Sequence, residues 1–185
     1  GAYIHNLSDF WDYYWKNPNG SDPEQLGWRL KYNRENRGDI YATHGLGPVA
    51  QALNIHRGDR MTSLVAMDTK SVQGKELVEA KTGKPCNDFR NGDHTTTLIQ
   101  TADRKVIELQ HDVMNPQPYS RLYQLTGTKG FANKYPIEGY AVDAKQLKAT
   151  GNAPKVDNLT SHEFMPDDQR KALEEKYESP ILKKF

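Results

Sequence analysis

The chain has 185 residues, long enough for one domain with its own core and short for two. Lysine and arginine number 25 against 24 aspartates and glutamates, and the resulting charge of +1 gives no long-range field to recruit nucleic acid or an anionic membrane. Hydrophobic residues at 36% and a mean hydropathy of -0.87 allow only a thin core under much polar surface, and no stretch approaches the roughly 20 apolar residues of a membrane span.

The chain opens on Gly1-Ala2-Tyr3-Ile4-His5, which reads as mid-strand, so a leader or an earlier segment is expected to have preceded it. The compartment stays open between cytoplasmic and periplasmic or exported. Residues 7 to 38 are rich in aromatics, including Trp11, Trp15 and Trp28, and read as a short helix followed by a long ordered loop. From Thr43 the signals change. Pro48 suits a first helical turn, Leu46, Val49 and Leu53 recur at helical spacing, and Gly58 follows as a stop.

Met61 to Thr69, Thr95 to Thr101 and Val106 to Val113 then read as strands, with Ala102-Asp103-Arg104 as a hairpin turn between the last two. Ser71 to Asn91 is polar, a loop with a short helix. Tyr119 to Leu125 alternates again, and Gly127 and Gly130 bracket a turn before Phe131 to Tyr135. A short helix over Asp143 to Leu147, a flexible insertion over Lys148 to Asn158 and a helix over Pro166 to Tyr177 complete the reading; Asp167 and Asp168 in the first turn of that helix match its dipole. Strands followed by helices, without βαβ repetition, give an α+β class: one domain over residues 1–185, an open, mostly antiparallel sheet with helices on one face.

Gly45-Leu46-Gly47-Pro48-Val49-Ala50 fits the loose dinucleotide fingerprint, with Asp68 some twenty residues on. It lacks the buried strand that the fingerprint needs, so the glycines read instead as a helix start packed tightly against a neighbour. Tyr41 and His44 lie just before that helix, where side chains point outward and backbone N–H groups are free. An imidazole and a phenol three residues apart suit proton transfer near neutral pH, and an ordinary capping histidine is the plain alternative.

His5 beside Tyr3, and Tyr119 after Pro116-Gln117-Pro118, have structural readings when taken singly. His111 shares a strand face with Ile107, Leu109 and Val113 and reads as a partly buried sheet histidine. His56, His94 and His162 have no partner at metal-ligand spacing, so no metal site is expected. Cys86 is alone, which excludes an internal disulfide framework.

Tyr41-Ala42-Thr43-His44-Gly45-Leu46-Gly47-Pro48, with Gly92-Asp93-His94-Thr95-Thr96-Thr97, His111-Asp112-Val113, Arg121, Gly127-Thr128-Lys129-Gly130-Phe131 and the segment from His162 to Pro180, resembles the C-terminal domain of glycoside hydrolase family 109. That family belongs to the Gfo/Idh/MocA oxidoreductase superfamily. The resemblance implies a preceding Rossmann domain that carries the NAD site and is absent from this chain, so the isolated chain should be inactive. It also implies oxidation of the sugar at C3, loss of the C2 proton with expulsion of the C1 group, water addition and return of the hydride, on an α-linked N-acetylgalactosamine-type substrate. Carried over by motif, Tyr41 and His44 are the catalytic pair, and Tyr3, His5, Arg29 and Tyr119 line the sugar pocket. The superfamily resemblance further implies a homo-oligomer paired through the open sheet, with a sugar or glycoside as partner and neither nucleic acid nor membrane.

Two other functions compete with the glycosidase. A sugar dehydrogenase of the same superfamily would accumulate NADH, and a non-catalytic sugar-binding or assembly module would tolerate loss of Tyr41 and His44.

Overall fold

The structure, a computed structural model, describes residues 1–7, 11–15, 27–135, 137–143 and 164–179. The expected helix over Asp143 to Leu147 lies outside these residues from position 144 on, as does the insertion expected over Lys148 to Asn158. By internal contacts the chain divides into two compact units, Gly1–Leu122 and Tyr123–Phe185.

The first unit runs β1 (Ala2–Ile4), a π-helical turn (Trp11–Trp15), α1 (Trp28–Glu35), α2 (Thr43–Ala52), β2 (Met61–Asp68), α3 (Gln73–Thr82), β3 (His94–Thr101) and β4 (Val106–Asp112). Its sheet has the order β1-β4-β3-β2, antiparallel except for the parallel pair β1 and β4. Strict alternation fixes the register of the two central strands. Thr95, Thr97, Ile99 and Thr101 of β3, with Ile107, Leu109 and His111 of β4, are buried, while Leu98, Gln100, Val106 and Glu108 point to the open face. The core of the unit joins Tyr3 and Val113 from the sheet side to Leu30 of α1, Val78 of α3, Trp15, Cys86 and Phe89. The fold is the expected α+β class with an open, mostly antiparallel sheet.

Long-range contacts set the helix ends. Both oxygens of the Asp93 carboxylate accept backbone N–H bonds at the start of α3, from Val72 and Gln73 at 2.9 and 3.0 Å and from Gly74 at 3.2 Å. They satisfy donors that a helix leaves free at its N-terminus. Gly74 is also sterically required, because a Cβ there would lie 2.4 Å from the Phe89 ring. The helix ends on Gly83 in the left-handed conformation at φ +67°.

Three expectations need correction. Residues 7 to 38 contain α1, where a loop was expected: its sequence is polar, with only Leu30 and Asn33 buried, so it carries almost no periodic signal. Helix α2 starts at Thr43, five residues before Pro48, and the proline sits inside it. His44 therefore belongs to the first helical turn, and only Tyr41 precedes the helix. The strand expected over Tyr119 to Leu125 is divided: Ser120 to Leu122 pair with β1, by Ile4 N–H to Ser120 O (3.1 Å), Ser120 N–H to Ile4 O (2.9 Å) and Ala2 N–H to Leu122 O (2.8 Å), and Tyr123 to Leu125 begin the first strand of the second unit.

The second unit is an antiparallel three-stranded sheet, β5 (Tyr123–Gly127), β6 (Gly130–Lys134) and β7 (Gly139–Val142), with α4 (Asp167–Tyr177). The tight β5–β6 turn pairs Gly127 with Gly130, as the glycine spacing implies. β7 is four residues long and was missed for its shortness. Met165 is buried with Tyr140, Val142 and Leu173, and the Tyr140 hydroxyl donates to Glu174 at 3.1 Å.

Candidate functional site

The site grows from the period of two on β1. Ile4 exchanges both backbone bonds with Ser120, so Tyr3 faces Arg121 in the closer, non-hydrogen-bonded position of the antiparallel pair, and His5 faces Tyr119. On the other edge of β1, Tyr3 pairs with His111 of β4. Tyr3, His5, Arg121 and Tyr119 thus share one face because three backbone segments hold them in register. The geometry agrees: the Arg121 guanidinium carbon lies 4.3 Å from the Tyr3 ring centroid and 5.4 Å from that of Tyr119, and His5 meets Tyr119 edge-on at 5.1 Å.

Helix α2 brings the other half. Gly1 and Gly45 let it approach β1 closely: a Cβ on Gly1 would sit 2.0 Å from the Gly45 carbonyl oxygen, and Gly45 lies against the backbone of Gly1 and Ala2. The close approach sets the Tyr41 and His44 rings above Tyr3, at 5.4 and 4.9 Å, and 4.9 Å from one another. From α1, Arg29 stacks on Trp28 at 4.3 Å and lies 5.5 Å from the Tyr41 ring. Asp39 steadies the turn before α2 by accepting the Tyr41 backbone N–H at 3.2 Å.

All six residues singled out in the sequence, Tyr3, His5, Arg29, Tyr41, His44 and Tyr119, meet in this one cluster. Tyr3 is its buried hub and Tyr119 the most open of the six. A small cavity lies against the hub, lined by Tyr3, Trp28, Arg29, Tyr41 and His111 among others. His111 is fully buried there rather than partly, and its Nδ1 has no hydrogen-bond partner. Burial pushes its imidazole toward the neutral form against the opposing charges of Asp39 and Asp112, with His94 acting in the same direction as burial.

The electrostatics favour neutral imidazoles throughout. Burial first, then the charges of Arg121 and Arg29 and the neighbouring His5, hold His44 below the usual histidine range. Burial and Arg121 do the same to His5. A neutral His44 can accept a proton at neutral pH, and the Tyr41 phenol in ring contact with it can donate or relay one. Among the described residues the cluster consists of phenols, imidazoles, an indole and guanidiniums, with the Asp39 carboxylate at its border on the Tyr41 backbone N–H.

The glycine run that mimics a dinucleotide loop lies wholly inside α2, with Gly45 buried against β1. It does not form the strand-to-helix turn that cradles a pyrophosphate, so these residues do not fit a dinucleotide's phosphates. Among the described residues no three histidine, cysteine, aspartate or glutamate side chains converge as a metal site. His94 instead bonds the buried Asp112 carboxylate through Nδ1 at 3.1 Å, an anchor between adjacent strands.

Two contributors escaped the sequence reading. Arg121 was noted without a role, although its spacing of two from Tyr119 matches that of Tyr3 and His5. Trp28, 51% exposed beside Arg29 and Tyr41, had no periodic signal to distinguish it.

Fold and site together define an α+β domain whose open sheet carries a cluster of aromatic rings, imidazoles and guanidiniums. The whole chain, residues 1–185, matches the family described as the C-terminal domain of glycosyl hydrolase 109. It is 70% identical over 185 residues to glycosyl hydrolase family 109 protein 5 of Phocaeicola vulgatus, covering all of this chain and 35% of that protein, and it matches protein 4 of the same organism to the same degree. Glycosyl hydrolase family 109 protein 1 of Bacteroides thetaiotaomicron is 52% identical, with 37% of its length covered. The chain belongs to the glycosyl hydrolase 109 C-terminal domain family, and it spans about a third of the length of these relatives.

Proposed function

We propose that this domain forms the sugar-binding side of an NAD-dependent glycosidase that acts on an α-linked N-acetylgalactosamine-type substrate. The observation that carries the reading is the contact between Tyr41 and His44, 4.9 Å apart on a buried tyrosine hub, with no pair of carboxylates beside them among the described residues. Since the α2 glycines form no phosphate cradle, NAD is assigned to another part of the full-length protein, and when bound it would exchange a hydride with C3 of the sugar.

A ketone at C3 acidifies the hydrogen at C2. His44, held neutral, takes that proton, or Tyr41 does so with His44 as its acceptor; the C2–H and C1–O bonds break as a C1–C2 double bond forms, and the departing oxygen takes a proton from the pair or from water. Water adds at C1, and the same pair returns a proton to C2. Arg29, a planar donor fixed on Trp28, suits a polar substituent of the sugar, and Tyr3, His5 and Tyr119 are assigned to the sugar's surroundings.

Solvent isotope exchange tests the reading. In heavy water the full-length protein should release sugar carrying deuterium at C2, without net NADH. Product lacking deuterium at C2 overturns the elimination chemistry, and stoichiometric NADH would establish a dehydrogenase instead.

We also propose that the open face pairs two copies. Val65 of β2 lies directly opposite Leu98 of β3, both exposed, with Met67 and Val106 flanking them.

A further inference from the structure

Arg121 stands apart from the groups around it. It stacks on Tyr3 at 4.3 Å and lies within cation–π range of Tyr119, and its backbone is locked by the three bonds that tie Ser120 to Leu122 onto β1. Its Nε is nevertheless buried with no hydrogen-bond partner. Ring faces balance the charge of a guanidinium but leave the donor at Nε unsatisfied, and a buried N–H without an acceptor is costly. A guanidinium held in this way on Tyr3, beside two imidazoles and with a donor unused, is suited to a partner that carries an oxygen acceptor.

We propose that Arg121 is a sugar-binding residue of this site, donating from its planar guanidinium to an oxygen-bearing substituent of the substrate while Tyr3 and Tyr119 hold its plane in place. The proposal rests on the reading of Tyr41 and His44 as the reacting face, and it adds a second role. Among the described residues, Arg121, Arg29, His5 and the phenols of Tyr3 and Tyr41 face His44, and of these Arg121 and Arg29 carry fixed positive charge. Burial of His44 and the charge of Arg121 act in the same direction, toward the neutral imidazole that a base requires. Removing that charge should let His44 protonate at higher pH.

The experiment compares Arg121→Gln and Arg121→Lys in the full-length protein, with His44→Ala as a reference. Loss of a charge-assisted bond should raise KM for an α-N-acetylgalactosaminide about 10- to 100-fold in Arg121→Gln, more than it lowers kcat. The acidic limb of kcat/KM should move up by at least about half a pH unit. Arg121→Lys keeps the charge but loses the planar fork, so it should restore the pH profile and leave KM raised. A merely structural arginine would instead give both variants a lower melting temperature, an unmoved acidic limb and unchanged KM in the folded fraction; that outcome overturns the proposal. Calorimetric titration with N-acetylgalactosamine separates it from the reading of the reaction: weakened binding in Arg121→Gln supports the proposal even where His44→Ala retains full turnover, and unweakened binding defeats it whatever His44 does.

Discussion

β1 and β2 end the same four-stranded sheet and meet opposite demands. β1 is three residues long, all buried, with β4 on one edge and Ser120 to Leu122 on the other. β2 is eight residues long and exposed along all but its last position, with Leu64, Val65 and Met67 open to solvent. The difference is one of neighbours rather than of composition. At β1, backbone pairing on both edges and the close approach of α2 turn each side chain into part of a fixed constellation. At β2, among the described residues, the backbone pairs on one edge only, and apolar side chains on both faces are exposed.

The largest effect expected from this contrast is chemical. In the full-length protein, His44→Ala or Tyr41→Phe should lower turnover by about two to four orders of magnitude, the usual worth of a positioned acid or base. The cofactor should remain bound, as its absorbance in the purified protein will show. Leu64→Ala on β2 should leave turnover unchanged. Equal losses from the two ends of the sheet would mean that the β1 cluster is not the reacting face.

Next comes stability. Tyr3 is 3% exposed and touches the rings of His5, Tyr41, His44 and His111, so truncation leaves a void walled by groups that cannot collapse together. Tyr3→Ala should cost about 3 to 5 kcal/mol in urea unfolding, the range for a large buried aromatic. Leu64→Ala, at a position 67% exposed, should stay within about 0.5 kcal/mol. Similar values for the two would erase the distinction between the strands.

A third experiment uses pH at the end of the sheet farthest from the site. Asp59 bonds the backbone N–H groups of Arg60 and Asp103 and the Lys105 ammonium at 2.9 Å, tying the β3–β4 turn to the chain entering β2. Burial works against its charge, but the bonds from Lys105, Thr101, Asp103 and Arg60 outweigh it and hold the carboxyl well below the usual carboxylate range. The folded state thus binds this proton less readily than the unfolded chain. The stabilisation is present above the ordinary carboxylate pKa and is lost as pH falls through the folded value. Unfolding midpoints of Asp59→Asn should therefore fall below those of the parent near neutrality and converge with them in acid. A gap that persists undiminished in acid would show that shape, not charge, holds the turn.

Much of this was legible in the sequence where the signal is local. The alternation of Thr95 to Thr101 and of Val106 to Val113 located β3 and β4, and the two glycines at 127 and 130 located the β5–β6 turn, because strand period and turn chemistry are written in consecutive residues. Helix α1 was not legible, since its few inward positions carry little hydrophobicity and it is held by tertiary contacts. The start of α2 was misplaced because Pro48 marks a preference for the first turn, and a proline six residues in is tolerated here. The site residues came from matched motifs, and their meeting depends on pairings of distant segments, Tyr3 with Arg121 and His111, that no spacing discloses. Arg121 is the clearest case: its role follows from a register across more than a hundred residues.

The smallest effect on the fold should fall on β2, and there the comparison sharpens most. Val65 and Leu98 are 58% and 44% exposed and directly opposite one another, so each stays partly solvated within a single copy. Replacing Val65 by Lys keeps the stem of the side chain on the sheet and lifts its ammonium into water, which should change unfolding free energy by no more than about 0.5 kcal/mol. If a second copy covers this face, the same change buries two like charges near a twofold axis, a penalty far larger than the stem can offset. Light scattering should then report a dimer for the parent at high concentration and a monomer for Val65→Lys, with the melting temperature at low concentration barely moved. A parent that is strictly monomeric at every concentration removes the second copy from this face and leaves β2 an edge guarded only by its charged and threonine neighbours.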